Sequence, residues 1–199
     1  MSQTQYVHEL LGKTSMLAAK ACATPCLPSQ RLLKDDGVLF DNRSLYRSIV
    51  EALEYLTFTR PDIAFSVHQV CQFMQLPMVI HFTAAKRILR YLKGTSQFGI
   101  SYHKGSLDLT AYSDADWVVD PNDRRSTTGM VIFLGSSPIS WSSKKQQTVS
   151  RSSTEAEYRA LSTTSAELDW IKQLLVFLWV INLLSCSTII SLSLHSLSI

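Results

Sequence analysis

The sequence predicts an α/β protein in which helices come first and a small antiparallel sheet followed by a long helix comes second. Apolar residues recur at helical spacing as far as residue 94, alternate with polar residues as far as residue 143, and return to helical spacing over 152–175. Helices repeat every 3.6 residues and strands every two, so the change of period places a boundary between residues 94 and 106. We therefore divide the chain into 1–95, 96–175 and a divergent end, 176–199.

Three helices are predicted before this boundary. Residues 44–57 carry apolar side chains on one face, and Asp41 or Asn42 precedes them as a candidate N-cap. The second helix begins at Pro61, because proline suits the first position of a helix. The third covers residues 81–94 and has an apolar side opposite a basic side. The first part of the chain is thus expected to be entirely helical.

Short strands are predicted after the boundary. The stretches 98–105 and 107–117 alternate apolar and polar residues around a turn at 104–106, which is typical of a hairpin. Two further short strands, 129–135 and 138–143, are separated by a turn that contains Gly135. A helix of about twenty residues is expected to follow three antiparallel strands.

Composition and charge exclude several classes of protein. Hydrophobic residues make up 46% of the 199 residues and charged residues 18%, which is enough apolar material for a buried core. The net charge of +3 excludes a histone-like polycation. Four scattered cysteines do not form a disulfide framework, and the first thirty residues contain no secretory signal. We expect an intracellular protein, cytoplasmic or nuclear.

The end of the chain differs in composition from the rest. Residues 174–199 contain no Asp, Glu, Lys, Arg, Gly or Pro. Three explanations remain open: a membrane segment, since about 20 apolar residues can span a bilayer; a buried strand with its surroundings; or foreign sequence joined to a shortened domain. Serines and Asn182 dilute the segment and no basic flank follows it, so we expect no membrane partner.

Carboxylates at the end of the strand 107–117 form the candidate site. Asp114 and Asp116 share a face of an extended strand, and Glu155 and Glu157 lie in the first turns of the last helix. Oxygen ligands of this kind suit Mg²⁺ or Mn²⁺, and two such ions can promote hydrolysis of a phosphodiester. The alternatives are a solvated turn for the aspartates and a response to the helix dipole for the glutamates.

Long motifs then resemble a known family. AYSDADW (111–117) and DRRSTTGMVIFLGSSPISWSSKKQQTVSRSSTEAEYRAL (123–161) closely resemble the ribonuclease H domain of copia-type retrotransposon Pol polyproteins. YRSIVEALEYLTFTRPDIAFSVHQVCQFMQ (46–75) and HFTAAKRILRYLKGT (81–95) resemble the end of the reverse transcriptase of the same family. The resemblance runs from about residue 2 to residue 175. It implies a ribonuclease H-like mixed sheet, preceded by an all-helical end of reverse transcriptase.

The resemblance also implies an activity and its residues. The family cleaves the RNA strand of RNA–DNA hybrids with two Mg²⁺ or Mn²⁺ ions. Asp114 matches the first metal-binding aspartate, and Glu157, three residues before Ala160, matches the helix glutamate better than Glu155 does. We therefore take Asp114 and Glu157 as candidate catalytic residues. Asp114, Glu157 and Asp116 are the candidate metal ligands.

Two later carboxylates of the family pattern are missing. The third aspartate would follow a cysteine, but Cys186 is followed by serine and threonine, which are neutral. We therefore expect the two-metal site to be incomplete and hydrolysis to be impaired in the isolated chain. A frameshift or splice after Leu175 in a decayed element would explain the change, and an alternate reading frame encoding an Asp-Asn motif at this locus would be its signature.

Basic side chains supply candidate contacts to nucleic acid. Their expected partners are an RNA–DNA hybrid or other nucleic acid, and the rest of a Pol polyprotein. The alternative for each is a solvated surface. Two other functional readings stay open: a non-catalytic nucleic-acid-binding remnant of a decayed element, and a product with no function. The candidate residues are Lys86, Arg87, Arg90, Lys93, Lys144, Lys145 and Arg151.

Overall fold

The structure is a computed structural model. It describes residues 1–27, 31–35, 37–118 and 120–195, and the side chains of the last helix as far as Leu178. Residues 196–199 of the divergent end, and the side chains around Cys186, lie outside the described part.

The first part of the chain is helical, as predicted. Its helices are α1 (Thr4–Lys13), α2 (Arg43–Leu56), α3 (Ala64–Cys71) and α4 (Val79–Gly94), and a 3₁₀ turn, Pro61–Ile63, precedes α3. They share one apolar core, which is the expected result of amphipathic helices turning their apolar faces inward. The fully or nearly fully buried members of this core include Val7, Leu11, Tyr46, Val50, Leu53, Leu56, Ile63, Val67, Ile88, Leu89 and Leu92.

Local signals indicated two of the helix starts, although α4 begins at Val79 rather than at the predicted residue 81. Asn42 caps α2, and its Oδ1 accepts a hydrogen bond from the backbone N–H of Leu45 at 2.9 Å. Pro61 opens the 3₁₀ turn, where its missing N–H costs no helical hydrogen bond. The prediction omitted α1, whose N-cap Gln3 makes no side-chain capping bond.

Three antiparallel strands form one sheet in the order β1–β2–β3. They are β1 (Leu109–Asp116), β2 (Thr127–Leu134) and β3 (Ser137–Lys145), so the predicted small antiparallel sheet is confirmed. Gly135, at the β2–β3 turn, has a φ of +58°, and a Cβ there would lie 2.4 Å from the carbonyl oxygen of Ser106. Among the described strands β1 pairs on one side only, so it is an edge strand.

The predicted hairpin around 104–106 is wrong. Residues 98–105 form no strand, and β1 pairs with β2 instead. The backbone N–H of Ile100 donates to the carbonyl oxygen of Met1 at 2.8 Å, and the Ile100 side chain is buried. The alternation in this stretch therefore reflects packing beside the N-terminus rather than pairing with the next segment.

The last helix is twice as long as predicted. Helix α5 covers Ser153–His195 and continues through the charge-free segment. It packs on the sheet through small side chains, since Ala156, Ala160 and Thr164 are all buried. Within the described residues, none of the helices combines the length and hydropathy that a membrane span requires.

The N-terminal helical part and α5 pack on opposite faces of the sheet. The Ser140 hydroxyl donates to Glu167 of α5 at 3.2 Å, so α5 lies on the face that carries Ser140. Trp141 is the next residue, and its Nε1 donates to the carbonyl oxygen of Thr57 at 2.8 Å. Successive strand residues point to opposite faces, which places the helical part on the other side of the sheet.

Candidate functional site

Asp114 and Asp116 lie on the sheet face that looks toward the helical part. In the register of the sheet Asp114 is opposite Gly129 and Asp116 is opposite Thr127, on the face of Trp141. Both aspartates are exposed. They border an open cavity of about 370 Å³ whose other walls include Phe65 and Trp141. The prediction that the two aspartates share a face is confirmed.

Asp114 forms one side-chain hydrogen bond with the described residues. Its Oδ1 accepts from the backbone N–H of Ala115 at 2.9 Å. This bond leaves the rest of the carboxylate available to solvent and to a ligand in the cavity.

The start of α5 is held close to the end of β1. Trp117 follows β1, and its Nε1 donates to the carbonyl oxygen of Ser150 at 3.2 Å. The hydroxyl oxygen of Ser152 then caps the helix by accepting a hydrogen bond from the Glu155 N–H at 3.1 Å. The first turns of α5 are thus fixed beside the strand that carries the two aspartates.

Glu155 and Glu157 have different surroundings. The Glu155 carboxylate accepts a hydrogen bond from the Arg151 backbone N–H at 2.7 Å and forms an ion pair with Arg159 at 2.6 Å. The Arg151 hydrogen bond, helped by the Arg159 charge, holds the pKa of Glu155 below its ordinary value. Glu157 is exposed and has no partner among the described residues. Of the two, Glu157 is the carboxylate that remains available to a ligand.

The sheet separates Glu157 from the aspartates. Ala111 and Ile132 are aligned with Ser140 across the sheet, on the face that α5 covers, whereas Asp114 belongs to the alternate set. An ion shared by Asp114 and Glu157 would have to lie at the free edge of β1, where a glutamate side chain could reach around the strand. Among the described residues no three His, Cys, Asp or Glu side chains come together. The shared metal site stays a prediction.

The basic row on α4 has structural partners. Arg87 donates to the Thr24 hydroxyl at 2.7 Å, Arg90 to the carbonyl oxygen of Lys20 at 2.7 Å, and Lys93 to that of Ala19 at 2.6 Å. The Lys86 ammonium lies 4.4 Å from the centre of the Phe82 ring. Arg87, Arg90 and Lys93 thus fasten the segment 19–24 to α4, whereas Lys86 contacts a residue of its own helix. Their contact with nucleic acid stays a prediction.

The other candidate cations, Lys144, Lys145 and Arg151, differ in their surroundings. Lys145 is largely buried and forms ion pairs with Asp120 and with Asp123, the latter at 3.2 Å. Burial raises the pKa of Asp120, but hydrogen bonds from Lys145 and Asn122 outweigh that effect and lower it below its ordinary value. Lys144 and Arg151 are exposed and form no ion pair within the salt-bridge distance among the described residues.

The sequence pattern did not identify His68, a polar residue that lies where α3 contacts β3. His68 of α3 accepts, through Nε2, a hydrogen bond from the backbone N–H of Lys145 at 3.0 Å. Burial, followed by the charges of Lys145 and Lys144, lowers the pKa of His68. Its position in the helical pattern gave no signal, because its partner is 77 residues away.

Comparisons with known proteins place the chain among mobile-element proteins. The Retrovirus-related Pol polyprotein from transposon RE1 of Arabidopsis thaliana is 51% identical over 176 residues, which cover 88% of this chain and 12% of that protein. An uncharacterized mitochondrial protein of the same plant is 49% identical over 171 residues, covering 85% of this chain and 71% of that protein. Secreted RxLR effector protein 161 of Plasmopara viticola is 46% identical over 128 residues, covering 63% of this chain and 90% of that protein.

Two other comparisons found nothing. No family model matches the chain, and no solved structure matches it. The chain spans about an eighth of the length of the RE1 polyprotein.

Proposed function

Because this chain belongs to the family of retrovirus-related, copia-type Pol polyproteins of transposons, we propose that it is a ribonuclease H-like segment acting on the RNA strand of RNA–DNA hybrids. Asp114 and Asp116 would hold a divalent ion, Mg²⁺ or Mn²⁺, and Glu157 would approach it from α5. The observation that carries the proposal is the 51% identity to Pol polyproteins over 176 residues.

The donor set suits a hard divalent ion in kind but falls short in number. Asp114 and Asp116 offer exposed carboxylate oxygens on one face of β1, which are the ligands that Mg²⁺ prefers. A bound ion would polarise the phosphodiester and the attacking water. The described residues gather no third carboxylate beside these two. We therefore expect the isolated chain to bind hybrid and to cleave it slowly.

The exposed cations have a role in this proposal. Lys144 and Arg151 would contact the backbone phosphates of the hybrid next to the start of α5. Lys145 would instead hold the loop around Asp120 and Asp123 in place, since its ammonium is already paired with both carboxylates.

Substitution of Asp114 tests the proposal. With the full chain and an RNA–DNA hybrid in Mg²⁺, Asp114→Asn should reduce the residual cleavage rate at least about tenfold, because a carboxylate ligand is lost. Mn²⁺ binding, followed by electron paramagnetic resonance, should weaken in parallel. Hybrid affinity should stay within about twofold, since the cations that meet phosphates are unchanged.

Asp169→Asn is the matched control. Asp169 is exposed on α5 and has no partner among the described residues, so its substitution should change neither measurement. Equal Mn²⁺ affinity and equal cleavage for the two variants would rule out a metal role for Asp114. Cleavage by the unmodified chain at the rate of a complete ribonuclease H would instead contradict the expected impairment.

A further inference from the structure

A second cavity lies between the helical part and the loops that flank the sheet. It has a volume of about 330 Å³, which is the lower end of the range of cavities that hold small molecules. Most of its wall is apolar and comes from α3, α4 and the described residues 25–27 and 31–32, including Leu27, Leu32, Phe65 and Ile88. This cavity is distinct from the one beside Asp114, although Phe65 and Asp116 border both.

Two arginines provide its positive charge. Arg31 and Arg87 both line the cavity, and neither forms an ion pair with a described residue. Arg87 donates one hydrogen bond from Nη2 to Thr24, but its Nε is buried and has no hydrogen-bond partner among the described residues. The Nε has almost no accessible surface, so a ligand in the cavity would meet the Arg87 guanidinium group through its Nη atoms.

The charge balance favours an anion. Asp116 is the carboxylate that borders the cavity, so the two guanidinium groups leave a net positive charge. Guanidinium groups match phosphate oxygens in geometry as well as in charge, and they do so better than a lysine would. A phosphate monoester carries close to two negative charges at neutral pH and three acceptor oxygens, which the two guanidinium groups can share.

The apolar wall specifies what the phosphate is attached to. Phe65 is the aromatic ring in this wall and is about one-third exposed, which leaves part of its face open to a planar partner. Aromatic rings stack on nucleobases of any sequence. Leu27, Leu32 and Ile88 complete an apolar enclosure that an inorganic anion alone would not fill.

From these observations we propose that the cavity binds a nucleotide through its phosphate monoester, with the base against Phe65. The ligand is either a free mononucleotide or the 5′-terminal nucleotide of a strand, because the two present the same chemistry. The proposal does not rest on metal-dependent cleavage, since it concerns Arg31, Arg87 and Phe65 rather than Asp114 and Glu157.

Calorimetric titration of the full chain tests the site. Adenosine 5′-monophosphate should bind saturably, and adenosine should bind at least about tenfold more weakly, because it lacks the charge-assisted hydrogen bonds. Arg31→Gln should weaken nucleotide binding at least about fivefold. Arg43→Gln is the matched control, since Arg43 is exposed on α2 and does not line the cavity.

A chemical probe keeps the test independent of folding defects. Cys26 lines the cavity and is half-buried, so bound nucleotide should slow its alkylation in the unmodified chain. Arg87→Gln should abolish this protection, and a thermal melt shows whether that variant is folded. If it is unfolded, the Arg31→Gln result decides.

The source of the nucleotide follows from two oligonucleotides. Tighter binding of a 5′-phosphorylated strand than of its 5′-hydroxyl form would assign the site to strand ends. Equal affinity for the phosphorylated strand and for the mononucleotide would assign it to free nucleotide as well. Both results support the proposal. Absence of saturable binding by mononucleotide and phosphorylated strand, equal binding of adenosine, or equal effects of Arg31→Gln and Arg43→Gln would overturn it.

Discussion

His68 links the two parts of the molecule through a bond that depends on its protonation state. Its Nε2 accepts from the Lys145 backbone N–H, and an imidazolium has no acceptor nitrogen. Protonation would also place a positive charge near Lys145 and Lys144, which lower the pKa of His68 together with burial. The folded state therefore holds this proton less tightly than the unfolded chain does.

The sign of the pH effect follows from this difference. Stability from neutral His68 is present above its ordinary pKa of 6.5 and is lost as the pH falls toward the lower folded value. In urea unfolding, the free energy of unfolding of the unmodified chain should fall between pH 7.5 and pH 5.5. In His68→Gln this fall should be smaller by about 1 kcal/mol, the size of one hydrogen bond. Substitution of the exposed His103 by glutamine should leave the pH dependence unchanged. An equal pH dependence in all three proteins would show that His68 does not titrate in this range.

At the scale of elements, α4 shows why a basic row is an ambiguous signal. Lysine and arginine on one helical face fit a nucleic-acid surface as well as they fit donors to a neighbouring loop. The sequence establishes the row, but the acceptors that it binds lie 63–74 residues earlier in the chain. Nothing local to α4 identifies these carbonyl and hydroxyl acceptors.

A thiol in the fastened segment reports on this role. The Cys22 backbone N–H donates to the carbonyl oxygen of Arg90, and its thiol to that of Arg87. Arg90→Met keeps the apolar stem but loses the bond to Lys20, so Cys22 should alkylate about fivefold faster, as read by mass spectrometry of its peptide. Lys86→Met is the control, because the Lys86 ammonium lies over the ring of Phe82, a residue of α4, and not against the segment that contains Cys22. Unchanged alkylation together with weaker hybrid binding in Arg90→Met would assign the row to nucleic acid instead.

Strand prediction failed and succeeded for one physical reason. Alternation reports which side chains share a face, and it correctly predicted that Asp114 and Asp116 lie on the same face of β1. It does not report which strand pairs with which, so it predicts a strand over 98–105, where the Ile100 backbone N–H instead donates to the carbonyl oxygen of Met1. Nor does it report which face a helix covers, and for that reason the separation of Asp114 from Glu157 could not be read from spacing.

At the scale of the whole molecule, the sheet lies between two helical layers, and the N-terminal layer contacts it through α3 and β3 while Asp114 and Asp116 of β1 stay exposed. Trp141 anchors the layer formed by the N-terminal helices through its hydrogen bond to Thr57, whereas α5 closes the other side with small residues. The order of helices, strands and final helix was predictable because each depends on local periodicity. The sandwich itself depends on contacts between residues 84 positions apart, as for Trp141 and Thr57.

Trp141→Phe measures the strength of this anchor. The substitution leaves an aromatic ring but removes the donor to the Thr57 carbonyl, so the free energy of unfolding should fall by about 1–2 kcal/mol. Trp170→Phe should change it by less than about 0.5 kcal/mol, because Trp170 is exposed and has no partner among the described residues. Equal effects in urea unfolding would show that the hydrogen bond does not hold the layers together.

The open edge of β1 has a consequence for the solubility of the chain. Unpaired backbone amides along an edge strand are a template on which a second polypeptide can add, and acidic side chains at such an edge oppose stacking of identical copies by mutual repulsion. Asp114 and Asp116 occupy this edge, so the carboxylates proposed as ligands also act as gatekeepers against self-assembly. Neutralising both carboxylates would therefore remove the proposed metal ligands and also favour aggregation of the chain through β1.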